Sequence, residues 1–498
     1  MERVEQRDKP AYRSITAYCR KGRKGITASD ITANTALPLE KVRELLPLAA
    51  DEYQARLRVT ESGEILYVFP RGFKSRYRGF AVALERFFEK AANAIKITAK
   101  TLFKVWILVM LVGYFVLFVL IALAAVVLSF AAQSSSRDSR DSRSNSGGNF
   151  FVVTHLLDLI IRIWFYSELT KSYGGRAYEQ QRKRKSGKPL YKAVFSFVFG
   201  DGDPNAGIDE REKLAVLSYL RAANGVIALP EYMILTGKSP EEAEDAITAF
   251  CAAYGGSPEA TEDGTVVYRF DALLLKNEFS ASRGLYSGPL RILKKFSSNE
   301  NKFNVWFSIL NGVNLVFGGY FLYNALTIGV INDIKASARE AYMYAVVYHF
   351  SSGFGINAHG AIFWALGVVP FVFSLLFWLI PALRNFSLKR DNEHIKLANL
   401  RQYAFDLIWK RPLDVHAEEF SPENASSRPQ KLSAAQSKLI NEMSAYSQAE
   451  VEANEEGVFT YSFNELEREK KSVAQFRTTA GKSVPGLGSV IFDTNSSY

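Results

Sequence analysis

The chain has 498 residues, 48% of them hydrophobic, with a formal net charge of +10 and only two cysteines, Cys19 and Cys251. The cysteines are far apart and form no CxxC, which excludes a Cys-only metal or cluster site within one chain and suggests a reducing compartment. The apolar residues are gathered into runs long enough to span a bilayer, so the chain is expected to be an integral membrane protein rather than a soluble one.

Residues 1–10 are polar and an amphipathic run, AYRSITAYCRK, follows at once, so no signal or transit peptide is expected. Residues 1–75 read as a small α+β module of helix 11–22, a short strand at Ile26, helix 29–36, helix 38–53 and two strands around Gly63. Ser29 and Asp30 suit a cap of the second helix and Pro38 the first turn of the third. The third helix has Val42, Leu45, Leu46 and Ala49 on one face at helical spacing. Arg56–Thr60 and Glu64–Phe69 alternate about a Gly-containing turn. Helix, helix, helix and β-hairpin is the winged-helix order. A basic connector helix over 76–101 then leads to a first hydrophobic hairpin, 102–169. Its strong run is 102–131, and its weaker one, 150–169, carries His155, Asp158 and Arg162 on one helical face. Charged groups there should face the bundle interior or water. They read as an ion or proton path, or as an Asp–Arg pair that neutralises itself. The second reading is preferred because the other helices offer no matching charges.

Residues 170–205 form a basic connector containing Arg182–Lys185, which suits anionic lipid head groups more than nucleic acid, and the string Phe199-Gly-Asp-Gly-Asp-Pro-Asn205. Residues 206–275 repeat the first module. Ile26 matches Ile227, Thr35 matches Thr236, Glu40 matches Glu241 and Tyr53 matches Tyr254, a constant offset of 201. The hairpin turns Glu61–Gly63 and Glu262–Gly264 also match, which makes Gly63 and Gly264 structural determinants. The second copy is expected as helix 210–223, helix 230–236, helix 239–254 and strands near Ala260 and 265–270. A connector over 276–302 leads to the second hairpin, 303–383, with runs 303–330 and 361–383. In it, Asn311, Gly312, Asn314, Gly318 and Gly319 make a small polar face suited to close helix packing, and Pro370 and Pro381 are candidate kinks. Residues 384–498 are expected to be a cytosolic C-terminal region with helix-like stretches at 431–449 and 463–476 and a mobile end.

The most distinctive string, FGDGDPN, imitates a calcium loop. Asp201, Asp203, Asn205, Asp209 and Glu212 fall at positions 1, 3, 5, 9 and 12. Against that stand Pro204, Ala206 where glycine is needed, and no helix expected over Phe195–Phe199. A turn built on Asp203, Pro204 and Asn205 that caps helix 210–223 is the preferred reading, so no metal and no cofactor are expected. The third helix of each module is where a winged helix often meets DNA. In the first copy Lys41 and Arg43 are outnumbered by Glu40, Glu44, Asp51 and Glu52. The second carries Glu241, Glu242, Glu244 and Asp245 and no basic residue. Acidic helices repel phosphates, so nucleic acid is disfavoured and those four residues become candidates for binding a protein partner. Two GKS strings, at Gly237 and Gly481, lack the upstream glycine of a P-loop, and no HExxH, GxSxG or Cys–His pairing is present. No enzyme activity is expected.

Basic runs flank the hydrophobic segments on one side, while the loops 133–149 and 332–360 are nearly neutral. The positive-inside rule then places both termini and residues 170–302 in the cytoplasm. Twin modules in one compartment require an even number of crossings between them, so 150–169 is expected to cross.

The FGDGDPN string, the EATEDGTVVYRF hairpin and LPLEKVRELLPLAADEYQARLRVTESGEILYVFPRGF in the first copy resemble a family of uncharacterised cyanobacterial membrane proteins. Its plant chloroplast members are labelled an iron–sulfur cluster biosynthesis family. The resemblance covers roughly residues 10–410. With Cys19 and Cys251 alone there is no cluster-ligand set, so what it implies is a membrane scaffold, in the inner membrane of a bacterium or the thylakoid of a cyanobacterium. The expected fold class is a multi-pass α-helical membrane protein with two winged-helix-like cytosolic domains. The expected function is a non-catalytic scaffold or assembly factor, contacting the bilayer, anionic head groups and an unidentified protein. The alternatives are a membrane-tethered DNA-binding regulator and a small channel or transporter.

Overall fold

A computed structural model describes residues 7–21, 25–70, 72–76, 80–134, 188–275, 288–328, 342–416, 434–453, 459–483 and 486–494. In chain order the elements are α1 (Lys9–Cys19), α2 (Ala28–Thr35), α3 (Leu39–Glu52), β1 (Arg56–Thr60), β2 (Ile65–Val68), α4 (Phe80–Ser134), α5 (Leu190–Phe199), α6 (Ile208–Ala222), β3 (Val226–Ala228), α7 (Leu229–Thr236), α8 (Pro240–Tyr254), β4 (Ser257–Ala260) and β5 (Val266–Arg269). There follow α9 (Asn301–Ile328), α10 (Tyr342–Ser352), α11 (Ala358–Ala361), a π-helical segment Ile362–Val368, α12 (Val369–Lys410), β6 (Val415–His416), α13 (Ala434–Ser447), β7 (Glu450–Ala453), β8 (Phe459–Ser462), α14 (Asn464–Ser483) and β9 (Val490–Asp493). The chain divides into two compact units. One comprises Met1–Arg86, Pro204–Leu293 and Asp391–Tyr498, the other Phe87–Asp203 and Lys294–Arg390.

The first unit holds three antiparallel three-stranded sheets, ordered β2-β1-β9, β3-β5-β4 and β6-β8-β7. Elements recur 201 residues apart: α2 with α7, β1 with β4, β2 with β5, and α3 with α8 within one residue. Ile26 bridges Tyr67 as Ile227 pairs with Tyr268. Gly63 and Gly264 sit at φ +78 and +80 in the hairpin turns, a conformation that favours glycine. Val42, Leu45, Leu46 and Ala49 are buried as their spacing predicts, with Ile15, Ile31, Tyr67 and Phe69. Around α8, Ile247, Phe250 and Tyr254 pack with Phe405 and Ile408 of α12, Leu439 and Met443 of α13, and Phe463. C-terminal segments therefore complete this core.

Several expectations shift. The cap of α2 is Thr27, two residues before Ser29. The Thr27 hydroxyl accepts the Asp30 N–H at 3.1 Å and the Asp30 carboxylate accepts the Thr27 N–H at 3.2 Å. That reciprocal box engages two orphan donors where one cap engages one. Helix α6 starts at Ile208 after Gly207 without any side-chain cap, and the Asn205 carbonyl of the preceding turn accepts the Ile208 N–H at 2.9 Å. Residues 490–493, expected to be mobile, pair with β1.

In the second unit, α4, α9 and the α11–α12 run are three helices long and apolar enough to cross a membrane. The connector helix expected over 76–101 and the first span are one helix, and α12 runs unbroken past residue 384 to Lys410. Part of the loop expected over 332–360 is helical, as α10. The irregularity near Pro370 is the π segment just before it, where the proline withholds a helical donor. Phe150–Leu169, with His155, Asp158 and Arg162, and Arg182–Lys185 lie outside the described residues.

Candidate functional site

In the first unit, α2 and α7 begin with the same device. Asp30 and Glu231, each at the third helical position, accept the N–H of their capping residue, and both are buried. A carboxylate withdrawn from water needs a counter-charge. For Asp30 it is Arg221 of α6, at 3.2 Å, the two side chains being 3% and 1% exposed. For Glu231 it is Arg477 of α14, which donates through both terminal nitrogens, while the Tyr219 hydroxyl donates to Glu231 at 2.6 Å. The Tyr254 hydroxyl donates to the Ala36 carbonyl at 2.7 Å and the Ser29 hydroxyl to the Ala272 carbonyl at 2.5 Å. The two module-like segments are thus joined by a largely buried polar seam.

The four candidate partner-binding carboxylates lie at the start of α8, and they divide. Glu242 closes a capping box: the Ser239 N–H donates to it at 3.1 Å. That hydrogen bond lowers its pKa, with Arg401 adding to the effect and partial burial opposing it. Glu241, Glu244 and Asp245 are exposed. Beside them opens a cleft of about 660 Å³ lined by Lys238, Arg291, His394 and Arg401 together with Glu242 and Asp245. Lys238 immediately precedes the cap of α8, whereas Arg291, His394 and Arg401 arrive from distant segments that sequence spacing did not connect to it. Two are already neutralised: Arg291 by Glu212 at 2.5 Å, and Arg401 by Glu442 through contacts of 3.2 and 2.8 Å. On α3, Lys41 meets Asp8 and Glu44 at 2.8 and 2.9 Å, and Arg43 meets Glu40 at 3.4 Å. The third helix of neither segment is a cationic face.

The residues of the calcium-loop spacing are divided between the two units. The chain passes from the second unit to the first between Asp203 and Pro204. On the second-unit side, burial pulls the Asp201 carboxyl upward. Lys188, Ser196 and Ser298 outweigh it and hold the group down to about 2. Asp203 faces Lys294 at 3.3 Å. On the first-unit side, the Asn205 amide accepts from Ile292 N at 2.7 Å and donates to Ile292 O at 2.8 Å, imitating a strand pair. Glu212 goes to Arg291, and Asp209 is exposed. No group of three metal-capable side chains stands together among the described residues. The objection that no helix enters was mistaken, since α5 is a helix. Its terminal carbonyls at Ser196 and Phe197 accept from Arg384 at 3.3 and 3.1 Å, and a Cβ at Gly200 would stand 2.8 Å from that guanidinium. The Ser196 carbonyl also accepts the Gly200 N–H at 2.9 Å, so Arg384 adds a second donor to one end carbonyl and supplies one to the other.

Also in the second unit, the Asn311 amide donates to the Ser374 carbonyl at 2.9 Å and Asn314 to the Leu111 carbonyl at 2.8 Å, joining α9 to α12 and α4. A Cβ at Gly318 would stand 3.0 Å from the Phe371 backbone nitrogen. The small polar face therefore serves helix packing, as its composition suggests. In the first unit, burial pushes the Cys19 thiol up to about 12 and Cys251 up to about 11, away from the thiolate form that binds metals.

The tail was the part least visible in the sequence. Glu469 of α14 is pushed up to about 7 by burial, then by Glu231 and Glu465. Strand β9 lies on β1, with Asp493 2.8 Å from Arg58.

No family model matches the chain, and no solved structure matches it. Among curated proteins it is similar to an uncharacterised chloroplastic protein of Arabidopsis thaliana, 27% identical over 412 residues, which is 80% of this chain and 72% of that protein. This is consistent with the plant and cyanobacterial family that the sequence resembles. Together with the apolar helices it is compatible with a thylakoid or other membrane location.

Proposed function

We propose that this protein is a non-catalytic scaffold, anchored in a membrane, whose two segments are duplicated winged-helix-like modules that dock protein partners at the cytoplasmic face. The observation that carries the reading is the outer face of α8. Glu241, Glu244 and Asp245 stand in water there, while the helix's apolar face is consumed in the core. A polyanion is repelled by such a surface, and a basic protein surface is attracted to it. The pairing of Lys41, Arg43, Arg291 and Arg401 with carboxylates argues in the same direction. A role in iron–sulfur assembly, which the resemblance implies, would fit only as a scaffold, because both thiols are buried and held protonated.

The buried Arg221–Asp30 pair supports placing both modules in one compartment, since neither charge would be buried alone. Of the described helices between them, α4 is long and apolar enough to cross. A shared compartment requires an even number of crossings between the two modules.

The test is cross-linking and recovery from native membranes, comparing the wild-type chain with Glu241→Lys/Glu244→Lys/Asp245→Lys. Glu242 is kept because it caps the helix. Loss of a specific cross-linked protein in the variant is expected, and an unchanged cross-link pattern overturns the docking face. Topology is tested with Arg56→Cys and Ser257→Cys, at exposed equivalent positions, using a membrane-impermeant maleimide. Labelling of one and protection of the other overturns the shared compartment.

A further inference from the structure

We propose that the outer edge of β1 is a strand-acceptor site for an extended, acid-ended peptide of a protein partner, and that residues 486–494 of this chain hold it closed. The inference rests on the scaffold reading and names where a partner's chain would lie.

The pairing of β9 with β1 is antiparallel, Arg58 with Asp493 and Val59 with Phe492, with a register shift before Thr60 meets Val490. It is made almost wholly of backbone and polar groups. Glu61 N donates to Ser489 O at 3.0 Å, Thr494 N to Leu57 O at 3.2 Å, and Ser62 N to Leu487 O at 3.4 Å. The Ser489 hydroxyl donates to Glu61, and Arg58 donates to Asp493 at 2.8 Å. The apolar side chains take little part: Val490, Ile491 and Phe492 remain 45%, 64% and 50% exposed, and none joins the core of this segment. A strand held by hydrogen bonds gives up water contacts to make them, so its net hold is weak. A segment without a buried apolar anchor exchanges readily, and the fold beneath does not need it.

The equivalent strand of the second segment makes the contrast. Its sheet is ordered β3-β5-β4, and β4 carries Pro258, which removes a donor from an edge. Strand β1 reads Arg56-Leu57-Arg58-Val59-Thr60 and contains no proline. One edge is blunted by its own residue, the other by a strand borrowed from the far end of the chain. Peptides that extend a sheet take affinity from the main chain and specificity from alternate side chains. Here the alternate contact is ionic, and Arg58, with exposed Arg56 two residues earlier, selects a carboxylate. Tethering raises the local concentration of residues 486–494, so a partner must compete with them.

The experiment uses a fluorescent peptide of residues 486–494 as probe. It is titrated against the full chain, the chain ended after residue 485, and the full chain carrying Val59→Cys/Phe492→Cys, oxidised or reduced. The ended chain is expected to bind at least tenfold more tightly than the full chain. The oxidised chain is expected not to bind, and the reduced chain to recover. Arg58→Glu in the ended chain should weaken binding at least tenfold, and Asp493→Lys in the probe should restore part of it. Failure of the ended chain to bind, binding indifferent to Arg58, or equal binding by the oxidised chain overturns the proposal. The probe should also release the protein cross-linked in native membranes. A cross-link lost with the α8 reversals but indifferent to probe and lock sinks this site and leaves the scaffold reading standing. Probe binding with no recovered partner overturns the scaffold reading and the partner peptide with it, leaving only closure of the edge by the chain's own tail.

Discussion

Glu469 allows a pH experiment whose sign is fixed in advance. Its carboxyl is raised from an ordinary 4.5 to about 7, first by burial, then by the negative charges of Glu231 on α7 and Glu465 one turn earlier on α14. Tyr446 of α13 feels the same charge, and Arg477 is already committed to Glu231. The folded state therefore holds a proton on Glu469 that the unfolded or undocked chain has lost. Below about pH 4.5 the group is neutral in both states and has no effect. As pH rises from about 4.5 to 7 the docked state becomes less stable, and above about 7 the loss is complete. A shift of about 2.5 units at roughly 1.4 kcal/mol per unit sets a ceiling of about 3 kcal/mol. Because one flank of the side chain reaches water, about 1–2 kcal/mol is expected. The perturbation is Glu469→Gln, which is neutral at every pH. The assay is amide hydrogen exchange over Asn464–Ser483, corrected for the intrinsic rate, from pH 5 to 8. Wild type and variant should differ least at pH 5, and by pH 8 the variant should be roughly five- to thirtyfold better protected relative to that baseline. Parallel profiles, or protection in the wild type that increases with pH, refute the reasoning.

Arg221→Met leaves Asp30 buried without its partner and should cost about 3–5 kcal/mol, read by chemical denaturation; adding Asp30→Asn should recover part of the loss. Gly237 has φ +68, and a Cβ there would stand 2.6 Å from the Ala398 carbonyl. Gly237→Ala should therefore cost more than about 2 kcal/mol and lower Tm. Its counterpart Ala36 occupies the same left-handed region at φ +56, so Ala36→Gly should raise stability by up to about 1 kcal/mol. In the apolar helices, Asn314→Leu should weaken detergent-resistant helix association by about 0.6 kcal/mol, whereas Gly318→Leu, driven against the Phe371 backbone, should disrupt it.

What was legible in the sequence is what local periodicity and turn chemistry decide. The buried stripe of α3, both hairpins with Gly63 and Gly264, and the three apolar helices follow from spacing alone. What stayed hidden depends on residues far along the chain. Phe195–Phe199 is aromatic enough to read as strand-like. It is helical, with Pro189 starting the turn and Arg384, 188 residues beyond Ser196, donating to the Ser196 and Phe197 carbonyls at its end. The calcium-loop spacing is a pattern in the sequence, but three of its four carboxylates answer to a cation from elsewhere: Asp201 to Lys188, Asp203 to Lys294, Glu212 to Arg291. All four acidic candidates on α8 are exposed, and only cap geometry sets Glu242, which holds the helix start, apart from the other three. The strand at Val490–Asp493 was lost among polar residues because its partner lies more than 400 positions earlier.

Asp30 and Glu231 suggest how the first unit is assembled. Each is a buried acid at the third helical position that accepts its capping residue's N–H, 201 residues apart, and a bare carboxylate there would be costly. For the first, the answering arginine is Arg221, from the helix that leads into the second segment. For the second it is Arg477, from the tail. The tail thus stands toward the second segment in ionic terms as the second stands toward the first, and each acid is completed by chain that follows it. On the duplicated reading, a doubled module inherits a second buried acid but no second partner for it, and the C-terminal extension supplies one. The same tail then continues through residues 486–494 onto β1, so the segment that neutralises one module also closes the edge of the other.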